Sequence, residues 1–264
     1  MKLVKVKKCV KSIRRSSLIR KLENTVIHNK KLISLGDTNE SFFRSGWETC
    51  DLINADYTVN FQNKLLPFED ESVDAFYSSH VIEHIEYKSC SNLIREIYRC
   101  LKPGGYFRVV TPDMDLLLNN YSANDWRFFL QADGEFILSQ VSKGKLPAES
   151  LLIQNRLVGW FASYSGRLDT AGGPIVDKSI VDNKLSRLSK YEFRDWCVSL
   201  LEKGRIYAHI HIYDNIELST LLKEVGFQDI HLLSYGNSSC SDMTHPTIDV
   251  EEHQTYSLYI ECKK

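Results

Sequence analysis

The sequence has no C-x-x-C pair, no internal repeat and no apolar run near the roughly 18 residues of a membrane-spanning helix. The first absence excludes a zinc knuckle or a dithiol redox motif. Seven cysteines are present, at positions 9, 50, 90, 100, 197, 240 and 262, an odd number scattered along the chain. No apolar signal-peptide core precedes them. We therefore expect a cytoplasmic protein with reduced thiols. With 264 residues the chain can bury one substantial core and carry one large insertion.

Acidic residues are nearly absent from the first 31 positions, where eight Lys and three Arg face only Glu23. The net charge of −1 thus hides a basic start and an acidic remainder. Val6, Val10 and Ile13, then Leu18, Leu22 and Val26, recur at helical spacing. We expect residues 1–30 to form a basic amphipathic extension that covers one side of a sheet. Peripheral contact with an anionic membrane surface is the alternative, and an organelle transit peptide ranks third. The acidic remainder argues against a nucleic-acid partner.

Further along, short apolar runs alternate with helical periodicity. Strands are expected at 31–36, 48–52, 57–61, 73–78 and 106–111, and one or two helices between Ile82 and Leu101, stopped by Lys102-Pro-Gly-Gly105. Such alternation predicts an α/β fold with a doubly wound, mostly parallel sheet. Residues 113–210 break the pattern. They look helical, are rich in aromatics and carry a Gly-Gly-Pro turn at 172–174, so they read as an insertion or lid after the fifth strand. Alternation returns with a helix over Asn215–Val225, ended by Gly226, and strands at 229–235 and 255–261.

In a doubly wound sheet, ligands lie beyond the carboxyl ends of the strands, where the strand order reverses. The turn after the first strand must approach the ligand closely, which suits Gly36 and its neighbours Asp37 and Thr38. An acid ending the second strand, Asp51, can accept both ribose hydroxyls of a nucleoside. Asn60 and Phe61 would flank the base, and Ser78, Ser79 and His80 would line the floor.

The run Leu65-Leu-Pro-Phe-Glu-Asp-Glu-Ser-Val-Asp-Ala-Phe-Tyr-Ser-Ser-His-Val-Ile-Glu-His84, followed by Glu96-Ile-Tyr-Arg-Cys-Leu-Lys-Pro-Gly-Gly105, resembles the class I S-adenosylmethionine (SAM)-dependent methyltransferases. It looks most like the small methyltransferase-domain group linked to surface-polysaccharide biosynthesis. Gly46-Trp47 with Asp51, and the ending Ser257-Leu-Tyr-Ile-Glu261, resemble the same group. The resemblance implies a Rossmann-like, seven-stranded sheet with an antiparallel last strand. It also implies SAM as cofactor, S-adenosyl-L-homocysteine as product, and a small-molecule or glycan acceptor such as a sugar, nucleotide sugar or polysaccharide precursor. Where the family has Gly-x-Gly after the first strand, this chain has Gly36-Asp37-Thr38. That departure makes a non-catalytic, methyltransferase-like scaffold the alternative.

Two further patterns carry chemistry. His209-Ile-His-Ile-Tyr213, if extended, puts His209, His211 and Tyr213 on one face, where one could serve as a general base. Asp113, just past the fifth strand, is another base candidate, or simply a helix cap. His80-Val-Ile-Glu-His84 matches H-x-x-E-H, a metal-hydrolase pattern that places two histidines on one helix face. It would need a third, distant ligand, and its flanks are those of a methyltransferase, so no metal is expected.

Overall fold

The computed structural model describes residues 29–37, 46–162, 173–201, 208–244 and 248–264. Thr38 and nearly all of the basic extension lie outside the described residues. Seven strands form one sheet: β1 (Leu32–Leu35), β2 (Trp47–Asp51), β3 (Tyr57–Thr58), β4 (Val73–Ser79), β5 (Leu101–Pro112), β6 (Gln228–Leu233) and β7 (Ser257–Lys263). Their order is β3-β2-β1-β4-β5-β7-β6. Strands β1 to β5 pair in parallel, and β7 runs antiparallel to both β5 and β6. The order reverses between β1 and β4, so the crevice between their carboxyl ends is the place for a ligand.

Both faces of the sheet are covered, as a parallel sheet requires. Helix α1 (Tyr87–Cys100) turns Cys90, Leu93, Ile94, Ile97 and Cys100 inward, a stripe at helical spacing. These pack in one core with Ile33, Phe76 and Phe107 from the sheet and with Leu218, Leu221 and Leu222 of α8 (Asn215–Val225). Asp214 caps α8 by accepting from the Glu217 amide, and Gly226 closes it in the left-handed region at φ 118°. On the opposite face, Trp47, Tyr77 and Tyr259 pack with Met243 and Ile248 from the connection between β6 and β7. Arg108 on β5 anchors that connection. Fully buried, it donates to both carboxylate oxygens of Asp249 at 2.9 and 2.6 Å. Removing either partner would strand the other's charge, at a cost of about 3–5 kcal/mol.

Two expected strands have different limits. The third is only Tyr57–Thr58, because the Asn60 side chain accepts from the Gln62 amide and its carbonyl accepts from Asn63 and Lys64, turning the chain out of the sheet. The fifth starts at Leu101 rather than Tyr106. Leu101 pairs with Val73, then the register shifts before Ala75 pairs with Tyr106, and the Pro-Gly-Gly turn sits inside that irregularity. A Cβ on Gly105 would come within 2.9 Å of the Lys102 carbonyl and 3.0 Å of that of Asp74, so the turn admits only glycine there.

Between β5 and α8 the described residues form helices alone: α2 (Met114–Ser122), α3 (Trp126–Phe129), α4 (Glu135–Ser142), α5 (Ile153–Phe161), α6 (Lys178–Arg187) and α7 (Lys190–Ser199). They enclose a core of their own, in which Leu157, Val158 and Phe161 of α5 meet Leu117, Phe129, Val181 and Phe193. Every residue of α5 from Gln154 to Phe161 is buried, including the polar Asn155, which satisfies itself by donating to the Glu149 carbonyl and accepting from the Val176 amide. Tyr256, just before β7, also belongs to this core and ties it to the sheet's carboxyl edge.

Candidate active site

The β1–β2 side of the crevice is built from short-range contacts. The Gly36 amide donates to the Cys50 carbonyl at 2.8 Å, which sets the turn after β1 against the end of β2 and beside Asp51. Gly36 has φ 82°, and a Cβ there would lie 2.1 Å from Cγ2 of Val81. Its glycine is therefore demanded by the turn after β4 packing onto it, a reason that the expectation of close ligand approach did not contain. Asp37 turns back to accept from the Ser34 hydroxyl at 2.5 Å. Asp51 is half-buried at the strand end and accepts from the Leu52 amide at 2.6 Å. Asn60 is exposed, and Phe61 leans on the sheet core.

The β4–β5 side is denser. Ser78 is buried with no hydrogen-bond partner for its hydroxyl, and Ser79 lies 3.3 Å from Nδ1 of His253. His80 adopts φ 54°, a left-handed conformation that costs a non-glycine residue energy and marks a place where the surroundings overdetermine the backbone. Its amide donates to the Val110 carbonyl, its Nε2 lies 2.8 Å from the Ser257 hydroxyl and its ring sits 3.9 Å from that of His253. Glu83 is fully buried beneath it, with Oε1 3.0 Å from His80 Nδ1 and 4.0 Å from His84 Nε2. Burial would raise this carboxyl; His80, His84 and His209 overcome it and hold the group down at about 2. Burial lowers His253 to about 3, and burial with His84 nearby lowers His209 to about 4, so both rings are neutral near pH 7.

The chain does return to the end of β5 after the helical segment. Asp113 and Tyr213 form a parallel bridge, and the Met114 amide donates to the Tyr213 carbonyl. The Ile210 and His211 amides donate to the Glu83 carbonyl, which brings the His209–Tyr213 segment against the turn after β4. Its three side chains do not share one opening. His209 packs between the rings of His84 and Trp160, at 4.8 and 6.0 Å. His211 lies under Tyr87 with Nε2 3.2 Å from Glu217 Oε1, and Arg194 holds the other oxygen of Glu217 at 2.7 Å. Tyr213 is wholly buried in the sheet core, and burial pushes its hydroxyl far above the ordinary phenol value. A base cannot work from there, so the expectation for Tyr213 is corrected. Asp113 accepts from the Asp115 and Leu116 amides as the cap of α2. Both bonds go to Oδ1, and capping is the role they give it.

His253, Ser257, Trp160 and Glu217 belong to this neighbourhood and were not singled out in the sequence as site residues. His253 sits in the polar connection between β6 and β7, and Trp160 in an aromatic-rich insertion, mostly core, of which one or two rings were expected to wall the acceptor site. Only the fold brings them to the crevice.

Residues 37–109 match the family model described as a methyltransferase domain, a span from the turn after β1 to the middle of β5. The matched span is well under half of the chain. No curated protein matches the sequence. Among solved structures, a SAM-dependent methyltransferase from Mesorhizobium loti is 15% identical with a TM-score of 0.39, covering 94% of this chain and 98% of its own. One from Archaeoglobus fulgidus is 11% identical, TM-score 0.39, with coverages of 94% and 95%. Haemonchus contortus phosphoethanolamine N-methyltransferase 2, solved with S-adenosyl-L-methionine, is 12% identical at TM-score 0.38, covering 89% of this chain and 48% of its own. At that distance nothing of their substrates transfers to this chain. No helix among the described residues is long and apolar enough to cross a membrane.

Proposed function

We propose that the protein methylates an oxygen of a sugar, nucleotide sugar or surface-polysaccharide precursor, with the cofactor held at the β1–β2 side and the acceptor entering over the β4–β5 side. The observation that carries the cofactor placement is Asp51, a half-buried carboxylate at the end of β2, beside the Gly36 turn and next to the strand-order reversal. The residues fit a nucleoside: Asp51 accepts from the ribose hydroxyls, Asn60 and Phe61 flank the base, and the unpaired Ser78 hydroxyl has a partner to gain. Asp37, Ser79 and His80 complete the lining. When bound, the cofactor supplies a methyl group on an electron-poor sulfonium.

The protein's own contribution is position, dryness and a base. His211 is the base this arrangement favours, because Glu217 orients its imidazole and stabilises the imidazolium that forms once a hydroxyl proton is taken. Trp160 and Tyr256, with rings 4.8 Å apart, form an apolar wall that excludes water or stacks on a sugar ring. Calorimetry with SAM and with S-adenosylhomocysteine tests the first half, and methyl transfer from labelled SAM to a panel of nucleotide sugars tests the second. A flat calorimetric trace would return the chain to the scaffold reading. Strong SAM binding with transfer only to non-sugar acceptors would overturn the acceptor class alone.

A further inference from the structure

Two residues of the H-x-x-E-H pattern, Glu83 and His84, meet a distant histidine, His209, in the fold. Glu83, His84 and His209 each offer a ligand atom, and the three atoms lie within 4.8 Å of one another. His84 Nδ1 is 3.1 Å from the Ala208 carbonyl, and His209 Nδ1 is 2.7 Å from the Trp160 carbonyl. A carbonyl oxygen can only accept, so both Nδ1 atoms carry a proton, and in the neutral ring the Nε2 atom is the one left to ligate. Histidines that ligate metals are oriented in this way, by an N–H given to a backbone carbonyl. The Glu83 carboxylate is fully buried, with Oε1 3.0 Å from His80 Nδ1 and 4.0 Å from His84 Nε2. Buried carboxylates are paired or coordinate metals.

We propose that Glu83, His84 and His209 bind a divalent transition-metal ion of the zinc class. Two imidazoles and one carboxylate form a three-ligand set that leaves a position open. Ligand atoms around zinc stand about 3–3.5 Å apart, given bonds near 2.1 Å, so the widest separation in the set must close by about 1.5 Å on binding. His80, the first histidine of the motif, turns its Nε2 to Ser257 and its Nδ1 to Glu83 Oε1 at 3.0 Å, pairing with that carboxylate from outside the set. The site stands on these residues alone; only its use, holding and acidifying an acceptor oxygen, rests on the reading above.

The test uses the full chain stripped with chelator, titrated with Co2+ in the optical spectrometer and with Zn2+ in the calorimeter, with SAM affinity measured in parallel. One equivalent of metal should bind and give cobalt d–d bands. His209→Ala and His84→Ala should each weaken binding by at least about 100-fold, while His231→Ala, on exposed β6, should leave it unchanged. His84 is partly exposed, so its variant guards against a folding failure at His209. Absent cobalt bands, or affinity indifferent to both substitutions, would overturn the site. Neither result touches SAM binding, whose loss would overturn the cofactor reading instead.

Discussion

The two sides of the crevice are made differently. On the β1–β2 side the polar candidates bond to near neighbours in sequence: Asp37 to Ser34, Asp51 to Leu52, Asn60 to Gln62. On the β4–β5 side almost every bond is long-range, with His80 joined to Ser257, Ser79 to His253, His84 to Ala208 and His209 to Trp160. Local construction leaves the first side half-open and suited to a constant ligand. The second side is a buried assembly drawn from four distant segments, where a change in the insertion or the β6–β7 connection alters the lining without touching the cofactor. An enzyme that keeps one cofactor and changes its acceptor needs that division.

The division can be broken from either side. The largest effect is expected at the acceptor side, where His211→Ala should cut turnover by about 10²–10⁴-fold and barely alter SAM affinity. Equal losses in both measurements would place His211 with the cofactor. Next comes Gly36→Ala, in which the added Cβ meets Val81 and the residue must hold φ 82°. A loss of about 2–4 kcal/mol in chemical denaturation is expected. Combining it with Val81→Ala should give less than the sum of the single losses, since the two side chains compete for one space. Additive losses would show that strain in the turn dominates.

Asp51→Ala is expected to weaken SAM binding by at least about tenfold with an unchanged melting temperature, because one ribose partner with charge-assisted bonds is lost. Unchanged affinity would move the cofactor away from β2. The smallest effect belongs to Asp113→Asn. Asparagine caps a helix about as well as aspartate, so stability should shift by less than about 0.5 kcal/mol and turnover should hold. A fall in turnover like that of His211→Ala would instead restore Asp113 as the base.

Local side-chain chemistry explains which parts were legible in the sequence. The strand and helix pattern from β1 to β5, the α8 helix with its Gly226 stop, and the antiparallel end were all readable, because period, caps and a family resemblance act within short windows. Gly36, Asp37, Asp51, Asn60, Phe61, Ser78, Ser79 and His80 were legible as strand-end positions, since a parallel sheet presents its strand ends along one edge, and their part in cofactor binding is the proposal above. Tyr213 was misread because the alternation of His209-Ile-His-Ile-Tyr213 sets faces within a strand but not which face meets the core. Packing against Cys90 decided that, and burial took the hydroxyl out of use.

By itself, then, the sequence determined the α/β architecture, the edge where ligands gather and a similarity to a methyltransferase-domain family over residues 37–109. Only the tertiary structure decided that Glu83 and His84 meet His209, that His253 stacks on His80, that Gly36 yields its space to Val81, and that Asp113 is occupied with its own helix. The physical reason is range. Hydrogen-bonding periodicity and turn chemistry act over a few residues and leave their mark in order and spacing. Burial, ring contacts and shared carboxylates join residues more than a hundred positions apart, and no local pattern records which of them will meet.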